Sequence, residues 1–200
     1  PERAIVVFDT GNLRRLVHMT GAGIIDQWSG FRSIYQAPQS GTVITRSYFG
    51  GPNIAALVEE LSAFGVKEFV LCGYCGAINN TLQIGDLILS KGALREDGVS
   101  HHYLDDEADI VYSGWAGEWL MPAREKGFHE GLIWSCDAIY RETANKIERY
   151  GKQGVLAVEM EVASLYAVCA FRSLKGVAFL VVSDIFYDGT WKGGFHTKAL

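Results

Sequence analysis

The segment from Val158 to Asp184, VEMEVASLYAVCAFRSLKGVAFLVVSD, constrains this chain more than any other. Glu159 and Glu161 flank Met160 at its start, and Ser183-Asp184 closes it. Between them run an almost wholly apolar stretch, a break at Lys175-Gly176 and a second apolar run, the pattern of a buried helix followed by a buried strand. An ionised carboxylate out of water costs several kcal/mol unless it finds a partner. Carboxylates at both ends of buried structure therefore ask for a reason beyond packing.

The remainder supplies the framework that such a segment needs. Short apolar runs at residues 4–8, 42–47, 68–72, 87–90, 131–135 and 177–182 read as strands, several with the continuous apolar character of strands covered on both faces. Asp9-Thr10-Gly11-Asn12 is a turn and helix cap, after which Leu13, Leu16 and Val17 recur at helical spacing. Residues 21–41, with Trp28, Phe31 and Tyr35, suit an exposed or edge strand. Gly50-Gly51-Pro52-Asn53 precedes a helix whose buried face is Ile54, Leu57, Val58 and Leu61 and whose stop is Gly65. A helix near Trp115–Met121 should stop at Pro122, and a charged helix over residues 140–150 should carry a Glu142–Lys146 pair at i, i+4. This rhythm predicts an α/β fold with a substantially parallel sheet.

Composition narrows the function. Two hundred residues suit one domain over 1–200, and with 48% hydrophobic residues the chain can bury a large core. A net charge of −5 without any Lys/Arg block excludes the footprint of a nucleic-acid binder, and no apolar run is long enough to span a membrane. Cys72-Gly-Tyr-Cys75 has no second pair and no suitably spaced histidine, so buried small residues in a strand-to-loop turn are expected there, not a metal or redox site. Pro1-Glu2-Arg3 leads straight into an apolar run with nothing like a signal peptide, and we expect a soluble, cytoplasmic protein.

Four ordered blocks resemble the nucleoside phosphorylases and nucleosidases of the purine and uridine phosphorylase type: GGPNIAALVEEL with GVKEFVLCGYCGAI, IGDLILSKGALREDGVSHHYL, SCDAIYRETANKIERY, and GVLAVEMEVASLYAVCAF followed by VVSD. The resemblance implies a three-layer α/β/α sandwich with a central mixed, partly barrel-like sheet. It implies a homo-oligomer, dimer to hexamer, in which a neighbour completes each pocket, and no cofactor, with phosphate as possible co-substrate. By the same resemblance Glu161 binds the ribose hydroxyls, Met160 packs on the sugar, Glu159 lies beside the nucleoside, and Asp184 protonates a departing purine. Cys75, Gly76, Ile139, Tyr140 and Ser183 fall on the base side. The chemistry agrees: cleaving a ribosyl C–N bond passes through an oxocarbenium-like state, and the base leaves poorly without a proton. Read alone, Glu161 could instead cap its helix and Asp184 a following turn.

The departures from the family gather on the phosphate side. Phe8 and Asn12 stand near the family's first-loop glycine and arginine, Leu71 stands for a second arginine, and Tyr74 for a hydroxyl residue. The segment before the glycine turn reads Ser47-Tyr48-Phe49-Gly50. Phosphate recognition needs cationic forks and close backbone approach, whereas these residues supply bulk. Asn12, Arg46, Ser47, Gly50 and Tyr74 mark the acceptor region. Three readings stay open: water replaces phosphate, other arginines (Arg14, Arg32, Arg46 or a partner's) bind it, or the fold binds without catalysis. Asp9, Glu159 and His102 are candidate bases for water. Ile139 stands where the family stacks an aromatic on the base. Trp191, in a segment of aromatics and glycines after Asp184, is placed where a lid would be, though an ordinary loop is the better explanation.

Overall fold

The computed structural model describes residues 1–25, 32–105 and 107–195, without the Asp188 side chain. Trp28, Phe31 and His196 lie outside the described residues. The first half of the chain runs β1 (Arg3–Val7), α1 (Thr10–Thr20), β2 (Gly23–Ile24), β3 (Ile34–Gln36), β4 (Val43–Arg46), α2 (Gly51–Ala63), β5 (Glu68–Ala77) and β6 (Leu87–Glu96). It continues with α3 (Ser100–Tyr103), β7 (Ile110–Tyr112), α4 (Ala116–Glu125), β8 (His129–Cys136), α5 (Ala144–Lys152), β9 (Val155–Glu159), α6 (Val162–Phe171), β10 (Lys175–Ile185) and β11 (Lys192–Gly193).

Five strands close on themselves. β5 pairs parallel with β10, β10 antiparallel with β6, β6 parallel with β8, β8 parallel with β9, and β9 antiparallel with β5. β5 closes this ring because it is long enough to serve two partners on one edge. Its first half, Glu68–Cys72, lies against β1, and Gly76-Ala77 lie against β9. Beyond β1 the sheet opens into β4, β3 and β2, so the described parts of the 21–41 segment do supply edge strands. Helices pack on both sides, as the α/β pattern predicts.

α6 is the helix on which the core is built. Eight of its residues, Val162–Cys169, are buried, so it has no polar face. Its two interior hydroxyls are partnered: Ser164 donates to Asp97 at 2.6 Å, and Tyr166 donates to the Ser90 carbonyl at 2.9 Å and accepts from the Ala178 N–H at 3.1 Å. α2 packs beside it so closely that a Cβ on Gly51 would lie 2.3 Å from Ser164 Oγ.

Several expectations need correction. β5 does not stop at Cys72 but runs on through the glycines to Ala77, which puts Cys72 and Cys75 in one strand, both as free thiols. Pro122 lies inside α4, which ends at Glu125. The charged helix begins only at Ala144, after a 3₁₀ turn at Ile139–Arg141. Lys146 therefore pairs with Glu96 at 2.6 Å, and the Glu142–Lys146 pair does not form. No helix among the described residues is long and apolar enough to cross a membrane.

Candidate active site

The carboxylates that open and close the Val158–Asp184 segment meet at one cavity of about 540 Å³. Glu159 ends β9, and Glu161 stands at the start of α6. It is Glu159, not Glu161, that caps the helix: its Oε2 accepts from the Glu161 and Val162 N–H groups at 2.6 and 2.9 Å. Its other oxygen accepts from the Ser135 hydroxyl, which in turn accepts from the Ala163 N–H at 2.9 Å. Glu161 is thereby free for the cavity. Its Oε1 takes one N–H, that of Gly50, at 2.5 Å. Gly50 sits at φ +93, a conformation open to glycine, so the turn before α2 presents its N–H to this carboxylate. Both glutamates are buried, and burial raises both pKa values, Glu159 further because Glu161 stands beside it. The donors around them act in the opposite sense.

Asp184 reaches the cavity from β10. The register of β10 against β5 gains one residue between Val182 and Asp184, a bulge centred on Ser183. Bulges re-aim side chains next to sites, and here the one after Val182 brings Asp184 to Gly76. A Cβ on Gly76 would lie 3.1 Å from Asp184 Oδ2, so the strand passes close under the carboxyl. Ser183 Oγ lies 2.7 Å from Asp184 Oδ1 and 3.3 Å from the Cys75 carbonyl. The hydroxyl can donate to the carboxylate, or turn to the carbonyl and accept from the carboxylic acid, so both protonation states of Asp184 find a partner. Trp191 Nε1 donates to Oδ2 at 2.8 Å, and the next two residues form β11, paired with β10 at Asp184 and Ile185. Cys75 lies beneath as a neutral thiol, pushed well above its ordinary value by burial, with Glu159 and Asp184 adding.

Of the residues expected in the site, the cavity wall contains Asp184, Glu159, Met160, Glu161, Cys75, Gly76, Ile139, Tyr140, Ser183 and Tyr74. Gly50 joins it through Glu161. Asn12, Arg46 and Ser47 stand apart. Arg46 lies over the Tyr48 ring at 4.9 Å, and buried Ser47 donates to the Tyr48 carbonyl at 3.0 Å. Asn12 lines a neighbouring cavity of about 270 Å³ and donates to Tyr74 Oη at 2.9 Å. Asp9 holds both: it accepts from the Asn12 N–H and side-chain amide at 2.7 Å, and from Tyr74 Oη at 3.2 Å. The side expected to take the acceptor is thus walled by Tyr74 and by Phe8 and Phe49, whose rings stack 6.1 Å apart. Arg32 is turned to Glu60 and Asn53. His102 is exposed on α3.

Sequence reasoning missed Glu142, Phe186 and Phe195 in this wall. Glu142 reads in the sequence as one charge of a helix face. Phe186 is placed by the bulge, which no local pattern announces.

A family model described as "Phosphorylase superfamily" matches residues 3–197. The chain is 32% identical over 197 residues to a protein named guanosine phosphorylase from Halorubrum lacusprofundi, covering 96% of this chain and 82% of that one. It is 29% identical to a DeoD-type purine nucleoside phosphorylase from Bacillus cytotoxicus, covering 80% of this chain and 69% of that one. A crystal structure of uridine phosphorylase from Vibrio fischeri superposes with a TM-score of 0.81 at 24% identity, over 90% of this chain and 78% of that one, which shows the shared fold.

Proposed function

The chain belongs to the phosphorylase superfamily, and from that premise we propose that it cleaves the N-glycosidic bond of a purine nucleoside, with phosphate as acceptor. The observation that carries this reading is the convergence of Glu161 and Asp184 on one cavity from opposite ends of a buried helix–strand unit. Glu161 holds the ribose hydroxyls, and its negative charge favours the positive charge that develops on the sugar. Met160 packs on the sugar. Glu159 fixes the position of Glu161 by capping α6. Asp184 gives its proton to the departing purine, with Ser183 and Trp191 holding the carboxyl in place. The names of the guanosine and purine nucleoside phosphorylase relatives support the purine choice.

One observation favours a second acceptor, water. Among the described residues, no lysine, arginine or histidine lines the cavity, and bulky rings occupy its acceptor side. Release of free base from purine nucleosides, measured with and without phosphate, separates the readings. Phosphate-dependent release supports phosphorolysis, equal release in both supports hydrolysis, and release in neither rejects the reaction.

The reading extends to a cytoplasmic homo-oligomer without a cofactor. The four cysteines are free thiols. Exposed Phe49, Tyr140 and Trp191 rim the cavity on a face that a second copy would cover.

A further inference from the structure

The turn that presents the Gly50 N–H to Glu161 is seated on side chains that do not line the cavity. Gly51, the next residue, fits between two of them: a Cβ there would lie 2.3 Å from Ser164 Oγ and 3.4 Å from Val99 Cγ2. Ser164 belongs to α6, and Val99 to the loop between β6 and α3. Asp97 ties the two together. Its Oδ2 accepts from the Ser164 hydroxyl at 2.6 Å and from the Ser100 N–H at 2.9 Å, and its Oδ1 accepts from the Ser100 hydroxyl at 2.6 Å. Ser100 Oγ in turn accepts from Arg95 Nε at 3.1 Å, and Arg95 donates to the Leu104 and Ala108 carbonyls at 2.8 and 3.0 Å. Arg95, Asp97, Ser100 and Ser164 are all buried, and a satisfied buried network holds its members to one geometry. The loop is fastened again at Gly98, whose N–H donates to Asp137 at 2.7 Å.

Resting on the nucleoside reading, we propose that Asp97 and Ser164 are positioning residues for sugar recognition: they seat the Gly50–Gly51 turn so that its N–H aims the Glu161 carboxylate at the ribose hydroxyls. The Gly50 N–H takes up one acceptor direction of Oε1 and so sets how the remaining ones face the cavity. With Ser164 cut back to alanine, the seat under Gly51 widens where Oγ stood, and Asp97 loses a donor. The turn then settles away from Glu161. The carboxylate loses its aim, and it loses a bond that favours its ionised form against the burial that opposes it. Glu159 at the end of β9 and Asp137 after β8 are the ionisable groups that also act on Glu161, and both stay in place in the variant.

The test compares calorimetric affinities of inosine and 2′,3′-dideoxyinosine across pH, in an Asp184→Asn parent that slows turnover. The parent is expected to prefer inosine at least ~10-fold, the size of a hydrogen bond to a charged group. Ser164→Ala is expected to cut that preference at least ~3-fold, with dideoxyinosine affinity unchanged. It should also move the onset of the preference to higher pH, because a carboxylate that loses an N–H donor keeps its proton longer. Asp97→Asn should act in the same direction. Tyr166→Phe removes the other buried hydroxyl of α6 and controls for lost stability; it should leave preference and onset where they are. A Ser164→Ala protein with full preference and an unmoved onset overturns the assignment, as does one that Tyr166→Phe matches. Absence of any inosine preference in the parent rejects the ribose role of Glu161 and the assignment with it. Loss of the preference in Ser164→Ala, where the wild-type protein releases no base from inosine, supports the positioning role and rejects the cleavage.

Discussion

Asp184 is held by two different contacts, and they divide its role. The Trp191 N–H can only donate, so Oδ2 stays an acceptor, while the Ser183 hydroxyl near Oδ1 can donate or accept. In the proposed role the proton is delivered from the Oδ1 side, where Ser183 can accept it by turning its own hydrogen to the Cys75 carbonyl. Asp184→Asn keeps the shape and removes the acid. Turnover of purine nucleosides should fall ~10²–10⁴-fold, the usual size of a general-acid contribution, with nucleoside affinity nearly unchanged. Steady-state kinetics combined with binding to the inactive variant checks this, and undiminished turnover rejects the proton-donor role. Gly51 makes a second prediction at this scale. Its Cβ would meet Ser164 Oγ, which donates to buried Asp97 at 2.6 Å. Gly51→Ala should destabilise the protein by about 1–3 kcal/mol, the typical cost of overpacking, as read by urea denaturation.

At the scale of elements, the β9–α6 junction joins stability to function. Glu159 satisfies two N–H groups at the start of α6, a helix with eight buried residues and no polar face to anchor it otherwise. That anchor carries a pH signature. Burial raises the Glu159 and Glu161 pKa values in the folded state above the ordinary 4.5. Between 4.5 and the raised values the folded protein holds more protons than the unfolded chain, so stability falls as pH rises. We expect the melting temperature of the ligand-free protein to decline from pH 5 toward about 8, the upper edge set by Glu159. Glu159→Gln should flatten the decline, because it removes the proton uptake while keeping an oxygen for the helix N–H groups. A wild-type melting temperature that climbs through this window would reject the assignment.

At the scale of the whole molecule, the site is an assembly of two parts that differ in how far the sequence announces them. The proposed sugar and base side rests on the closed ring and on α6, and its carboxylates are legible because charge beside buried structure is costly and conspicuous. The ring closure, by contrast, depends on β5 reaching β9 with two residues, Gly76 and Ala77, and the aim of Asp184 on a single bulged residue. Neither leaves a local pattern. Glu142 was hidden by an ordinary i, i+4 match with Lys146, a match that vanished once the helix began after it. The proposed acceptor side rests on the open sheet, at β1, α1 and the loop before α2, and there the bulk of Phe8, Phe49 and Tyr74 was legible but its consequence was not. Asn12 stands in the first turn of α1, one hydrogen bond from the cavity wall at Tyr74. Asn12→Arg places a cation behind that wall, at a modest helix-dipole cost of about 0.3–1 kcal/mol, and leaves the Asp9 cap its backbone bond. A hydrogen bond to a charged group contributes about 1.5–3 kcal/mol, or roughly 10–100-fold in affinity. Base release by this variant should therefore respond to phosphate at concentrations at least ~10-fold lower than in wild type, or gain a phosphate response where wild type shows none. A phosphate titration of base release at constant ionic strength measures it. An unchanged response would place the acceptor site away from α1, and with it the functional boundary between ring and open sheet.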